Sequence, residues 1–261
     1  MRFESGSMML AKDRQRLERD LPDAIGDCEI EIAFQPQYAL PGDTLIGAEA
    51  LARWRHPILG CVDAASLVAA ADQGEQATRL TCYVMHRALD EAARWPQDMR
   101  LSLNVTPRDL QEPYFAENFE DMLMRSGFEA RRLTLELTEN ALLDDVDHAA
   151  RILAKLRGIG VRIALDDFGA GFCNFDYLKR LPLDYLKLDR SMAVGLSEDD
   201  RSVAILRGIV TMARALDLTV VAEGIETESQ RRVVEEERCA AYQGFYRSRA
   251  VSGQAFRDLV A

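Results

Sequence analysis

Residues 132–138 read RLTLELT, with Leu133, Leu135 and Leu137 alternating with Thr134, Glu136 and Thr138. Successive side chains of an extended chain point to opposite faces. One face is therefore all leucine, and the other is small and polar with a single carboxylate. Residues 100–105, RLSLNV, repeat the pattern: Leu101, Leu103 and Val105 oppose Ser102 and Asn104. A leucine face suits packing against helices, and a face of small and polar groups suits the inside of a barrel. The same rule pairs Ala164 with Asp166, Tyr185 with Lys187, Val221 with Glu223 and Ala241 with Gln243. A polar group placed in a strand loses its water and must find a partner. Glu49 in GAEAL, Asn104, Glu136, Asp166 with Asp167, Lys187, Glu223 and Gln243 each stand at a matching point of their segments. The shared position predicts one site at the C-terminal ends of the strands, where barrel active sites lie.

Working outward, eight strand-like segments recur: residues 31–40, 44–54, 100–107, 132–139, 161–169, 184–191, 218–226 and 240–248. Helical patterns with cap residues lie between most of them. Asp63 precedes the helix beginning at Ala64, and Thr106-Pro107 opens a short one. Asp144 or Asp145 precedes a helix that stops near Gly158 and Gly160. Ser197 with Asp200 and Thr227 with Gln230 match the capping box. Eight strands alternating with helices predict an α/β fold, a TIM-type (β/α)8 barrel. Only Pro41-Gly42-Asp43 separates the first two strands. A parallel crossover needs a dozen or more residues, so this pair is expected to be an antiparallel hairpin and the barrel irregular.

The 261 residues are close to the length of about 250 typical of one such barrel. The expected division is a scar or linker over 1–9, a leading helix over 10–26 and the barrel over 27–261. The leading helix carries Leu10, Leu17, Leu21 and Ile25 at roughly helical spacing. It reads equally as a connection from an upstream domain or as an ordinary first helix. Net charge is −11, and no basic run suggests duplex nucleic acid. The five cysteines (Cys28, Cys61, Cys82, Cys173 and Cys239) form no CxxC or zinc spacing and read as reduced thiols of a cytoplasmic protein. No signal peptide and no apolar run long enough for a membrane span is present.

Glu49, Glu136, Asp166, Asp167 and Glu223 set five negative charges against the one positive charge of Lys187. Carboxylates so crowded protonate unless cations balance them. Two divalent ions would do so, and all-oxygen donors select Mg²⁺ or Mn²⁺ over zinc. None of the three histidines occupies a strand-end position. Two hard ions roughly 3.5–4 Å apart are the usual clamp for in-line attack at phosphorus. A neighbouring lysine would hold the attacking hydroxide or neutralise charge in the transition state.

At these residues the chain resembles the EAL domain family of bacterial cyclic dimeric GMP phosphodiesterases. Glu49-Ala50-Leu51 is the namesake motif within EALARWRHP. FQP, LNV, ELTE, DDFGAGF, LPLDYLKLD, AEGIET and QGF follow in the family's order across residues 34–245. The resemblance implies an irregular barrel with an antiparallel first strand and hydrolysis of one bond of cyclic dimeric GMP to linear pGpG. It implies that Glu49, Asn104, Glu136 and Asp166 hold one cation, and that Asp166, Asp167 and Glu223 hold the second. Lys187 would position the nucleophilic water, and Glu223 is the residue discussed as a base. Arg53 would meet substrate phosphate, while Gln35, Asp189 and Gln243 would support substrate or water. Glu139 would anchor the loop after Asp167, and Glu226 would orient neighbours. That loop departs from the family, with Cys173 and Asn174 where two serines are usual and Phe172 where tyrosine is usual. In the family it couples the metal site to a dimer interface, so a homodimer is expected, as is an upstream sensor or nucleotide-cyclase-like domain. The reading from a different class is a receptor that binds cyclic dimeric GMP without cutting it. Such members typically lose metal ligands, which this chain keeps.

Overall fold

The computed structural model describes residues 11–27, 29–71, 76–138, 145–171 and 175–261. Glu139, Phe172, Cys173 and Asn174, singled out above, lie outside them. The strands are β1 (Ile30–Ala39), β2 (Thr44–His56), β3 (Gly60–Val62), β4 (Arg100–Val105) and β5 (Leu133–Thr138). They continue as β6 (Arg162–Phe168), β7 (Tyr185–Leu188), β8 (Thr219–Ala222), β9 (Ala241–Gln243) and β10 (Val251–Ser252). The helices are α1 (Ala11–Gly26), α2 (Ala64–Ala71), α3 (Gln76–Ala92), α4 (Pro107–Gln111) and α5 (Phe115–Ser126). They continue as α6 (Val146–Gly158), α7 (Phe175–Arg180), α8 (Asp200–Ala215), α9 (Glu228–Glu236) and α10 (Gly253–Val260).

Eight of these strands close a barrel in the order β1-β9-β8-β7-β6-β5-β4-β2, with β2 returning to β1. Strands β2 and β4 to β9 run parallel to one another, and β1 is antiparallel to both of its barrel neighbours, β2 and β9. The expected hairpin is therefore present, and β1 is the reversed strand. Its turn is made by Gly42 and Asp43, with φ of 101° and 53°. Asp43 is held from outside by Arg231 Nε at 2.9 Å and Tyr242 Oη at 3.1 Å. The short β3 and β10 extend the sheet on the outer sides of β2 and β1.

Alternation sorts the strands as the sequence predicts. Leu101, Leu103, Leu133, Leu135, Ile163 and Leu165 are fully buried in the core between sheet and helices. A second apolar core joins Leu17, Leu21 and Ala24 of α1 to Trp54, Leu67 and Leu80. The leading helix is thus packed onto the β2 side of the barrel.

Most expected caps are present. Asp63, Thr106, Asp145 and Thr227 each accept a hydrogen bond from the first turn of their helices. One expectation fails: Ser197 does not cap α8. Asp199 does, accepting from the N–H groups of Arg201 at 3.0 Å and Ser202 at 3.1 Å. A carboxylate with two oxygens satisfies two of the orphan donors at once. Ser197 Oγ turns instead to Ser229 Oγ at 2.9 Å.

Candidate functional site

Lys187 stands in the middle of the inward-facing polar groups, on the third residue of β7 and 1% exposed. Its Nζ lies 2.5 Å from Glu136 Oε2, 2.6 Å from Glu223 Oε1, 3.1 Å from Asp166 Oδ1 and 3.6 Å from Glu49 Oε2. Strands β2, β5 and β6, and the residue just after β8, thus send a carboxylate to one ammonium. The amides bind from the flanks. Asn104 Nδ2 donates to Glu49 Oε1 at 2.8 Å, and Gln243 Nε2 donates to Glu49 Oε2 at 2.8 Å and to Glu223 Oε1 at 2.9 Å.

Asp166 and Asp167 are consecutive, so a regular strand would point them to opposite faces. Pairing between β6 and β7 slips after Leu165 and resumes at Phe168. Asp167 takes a left-handed φ of 56° in this irregularity. An interrupted ladder of this kind re-aims a side chain, and here both carboxylates reach one side. Asp167 N–H also donates to Asp166 Oδ1 at 2.9 Å. Carboxylate oxygens of Glu49, Glu136 and Asp166 come within 4.8 Å of one another, as do those of Asp166, Asp167 and Glu223. These are two three-acid groups sharing Asp166. Glu223 is followed by Gly224, whose φ is +66° and whose Cβ, if it had one, would lie 2.4 Å from Arg190 Cβ. Only glycine lets the chain turn there without strain.

The charge balance shows in the acidities. Burial works against the Lys187 ammonium, but the carboxylates of Asp166, Glu136, Glu223 and Glu49 outweigh it and hold its pKa well above the usual value. Burial would raise Glu49, yet Lys187 and the amides of Gln243 and Asn104 bring it below the usual range. One ammonium cannot serve all its neighbours. Burial drives Glu136 up to about 8 against the pull of Lys187, with Glu49 and Asp166 adding to the rise. Glu223 rises well above its usual value for the same reasons. Desolvation, followed by Asp166 and Asp189, lifts Asp167 to about 6. Carboxyls forced to keep protons mark a site with more negative charge than its own cation can balance. The all-oxygen donor set fits hard divalent cations.

The remaining expected residues lie farther from the lysine or act through other contacts. Gln35 is buried and donates to the Ser248 carbonyl at 2.7 Å. Asp189 caps the following turn through the Ser191 N–H at 2.9 Å. Arg53 shares an inward-facing row of β2 with Glu49, two positions farther than Leu51, and its Nη1 donates to the Ala52 carbonyl at 2.9 Å. Glu226 is exposed, and its backbone N–H, not its carboxylate, bonds Gln230 Oε1 at 2.8 Å. Sequence reasoning missed Gln37. Its Nε2 donates to Gln243 Oε1 at 3.1 Å and so orients the amide that holds Glu49 and Glu223. The signal was available, because Gln37 follows Gln35 by two residues on the same face.

The family described as EAL domain matches residues 18–250 of this chain. A signaling protein of Caulobacter vibrioides is 36% identical over 234 residues, covering 90% of this chain and 29% of that protein. The cyclic di-GMP phosphodiesterase NbdA of Pseudomonas aeruginosa is 32% identical over 262 residues, covering 99% of this chain and 34% of NbdA. The chain therefore spans about a third of the length of these relatives. Among solved structures, the PaMucR phosphodiesterase in complex with c-di-GMP superposes with a TM-score of 0.86 at 31% identity, covering 92% of this chain and 99% of that one. Among the described residues no helix is long and apolar enough to cross a membrane.

Proposed function

We propose, from the premise that this chain belongs to the EAL domain family, that it is a metal-dependent phosphodiesterase that opens cyclic dimeric GMP to linear pGpG. The observation that carries the reading is the pair of three-acid groups joined at Asp166 around a buried lysine. NbdA, named for this activity, and the PaMucR complex with c-di-GMP support the choice of substrate.

Glu49, Asn104, Glu136 and Asp166 would hold one divalent cation, and Asp166, Asp167 and Glu223 the other. Mg²⁺ or Mn²⁺ bound there would supply Lewis acidity and lower the pKa of water at the site. The chain's own groups do the rest. Lys187 donates to the oxygen of the attacking water and balances charge that develops on the phosphoryl oxygens. Glu223, within hydrogen-bond reach of Lys187 and of Gln243, takes up the proton released by that water. Water oxygen bonds to phosphorus as the bond to the ribose 3′ oxygen breaks, leaving a 5′ phosphate on pGpG. Arg53 would contact substrate phosphate. Gln35 and Asp189 would support the surrounding substrate or water, Glu139 would anchor the loop after Asp167, and Glu226 would orient neighbours.

In full length the protein is expected to be cytoplasmic, with a sensor or nucleotide-cyclase-like domain attached. The bifunctional diguanylate cyclase/cyclic di-GMP phosphodiesterase MucR, which this chain covers over 38% of its length, supports that arrangement. The chain is expected to dimerise through the loop after Asp167 and its adjoining helix, and a monomer at micromolar concentration in sedimentation would count against this. Hydrolysis in ¹⁸O-water tests the reaction itself. The expected product is pGpG carrying a single ¹⁸O on its terminal phosphate. Nucleotide that binds and stays uncut in the presence of Mg²⁺ and Mn²⁺ would make the chain a receptor instead.

A further inference from the structure

Directly under the Lys187–Glu136 pair, the barrel interior is not filled. The inward positions below them include Ser102, Thr134, Ala164 and Val221, none larger than valine, with Ile46 and Tyr185 as the larger side chains of the wall. Barrels of this class normally pack such layers with bulky branched side chains. Here a cavity of about 360 Å³ takes their place, with Lys187 and Glu136 in its wall. It reaches the end of the barrel opposite the acidic centre, where Arg100 and Tyr185 begin their strands and line the opening.

The chemistry of that opening is cationic. Arg100 and Arg162 each precede an inward residue of the cavity layer by two positions, so both belong to the inward rows. Arg100 Nη1 donates to Tyr185 Oη at 3.1 Å, and the Arg162 guanidinium carbon lies 5.9 Å from the centroid of the same ring. Among the described residues neither arginine is ion-paired to a carboxylate. The acid beside them, Asp184, is already engaged by Arg157 at 3.0 Å and by the Ile163 N–H at 3.0 Å. In a chain of net charge −11, Arg100 at the mouth of the cavity, with Arg162 beside the same phenol but lining a neighbouring surface pocket with Arg157 and Asp184, forms a local reversal of charge.

We propose that the base of the barrel binds a small phosphate monoester, separately from the acidic centre. A guanidinium fork matches phosphate oxygens in pairs, so Arg100 would hold the phosphate at the rim, with Arg162 adding its charge from beside the Tyr185 ring. The compact hydroxylated body would enter the cavity, where the hydroxyls of Ser102 and Thr134 and the amide of Gln37 offer hydrogen bonds. The volume lies within the range of small-molecule sites, roughly 300–1,000 Å³. An occupant would lie under Lys187 and Glu136, which makes the site a point of control over the centre above it. The binding itself does not rest on the hydrolase reading.

The test is calorimetric titration of the whole chain with ribose 5-phosphate, with and without Mg²⁺, on wild type, Arg100→Gln, Arg162→Gln and Ala164→Leu. Saturable one-to-one binding is expected with or without the metal. Each arginine variant is expected to weaken it about tenfold or more, the loss of one charge-assisted contact. Ala164→Leu fills the cavity and is expected to abolish it. Arg100 is exposed at the rim, so Arg100→Gln keeps the test decisive should the leucine variant fail to fold. No saturable binding at millimolar ligand would overturn the proposal. So would binding indifferent to both arginines that requires Mg²⁺, because the phosphate would then lie at the acidic centre.

Discussion

Among the described residues Lys187 is the only cation touching four carboxylates; it is 1% exposed, and Glu49, Glu136 and Asp166 are buried with it while Glu223 is half-buried. Removing one partner of a buried ion cluster leaves charges with neither water nor counterion, which typically costs about 3–5 kcal/mol. Lys187→Met is therefore expected to lower the melting temperature of the metal-free protein sharply. Mn²⁺ is expected to restore most of it, because the cation replaces the missing charge. Equal melting of variant and wild type without metal would show that the cluster does not depend on the lysine. Glu136 makes a second statement. Its pKa stands at about 8 against the ordinary 4.5, so its protonated form is the one the fold favours. Its contribution to stability is complete below 4.5 and is lost as pH rises to about 8. Asp167 adds the same sign between 3.8 and about 6. Glu49, lowered, loses its contribution only on the acid side of this window. Metal-free protein should thus lose stability as pH is raised from 4.5 to 8. Metal binding near neutrality should release protons, visible as calorimetric heats that vary with the ionisation enthalpy of the buffer. Heats independent of buffer would contradict these acidities.

At the scale of single elements, the site depends on two departures from regular strand geometry. The irregularity at Leu165–Phe168 brings Asp166 and Asp167 to one side, and the left-handed turn at Gly224 fixes the exit of the chain after Glu223. Gly224→Ala is expected to destabilise the protein by about 1–3 kcal/mol, the usual cost of a strained backbone position. Activity should fall more than the folded fraction does, because Glu223 is adjacent. Denaturation curves and turnover measured on the same preparation check both. Strand identity and the inward rows were legible in the sequence, because a period of two is a local property that RLTLELT displays by itself. The slip in register was not legible, because it arises from pairing with β7, and the aspartates read simply as the end of a strand. The cap of α8 failed for a related reason. Ser197, Asp199 and Asp200 all offer cap chemistry; the helix starts at Asp200, so Asp199 takes the cap while Ser197 bonds Ser229.

The whole molecule is a reversed-strand barrel with a second core along one side. Leu21 of α1 is fully buried in that second core, so Leu21→Ala should cost about 2–5 kcal/mol. Urea denaturation measures it, and metal affinity should not change, because the second core contains none of the acidic residues of the centre. Unchanged stability would mean that α1 is not packed in solution. Barrel closure and the antiparallel first pair were legible from eight segments and a three-residue link. The cavity under Lys187 was not, because small inward residues such as Ser102 and Ala164 declare an interior face without declaring that it stays unfilled. The central claim is that the two acid groups joined at Asp166 form a metal centre that cuts a phosphodiester. It is tested most directly by incubating wild type and Glu49→Ala with cyclic dimeric GMP, with Mg²⁺ or Mn²⁺ and with chelator, and separating the nucleotides by chromatography. The account predicts pGpG from wild type with metal, and none from the chelated sample or from Glu49→Ala. Intact substrate in every sample, or pGpG formed equally with chelator, would contradict it.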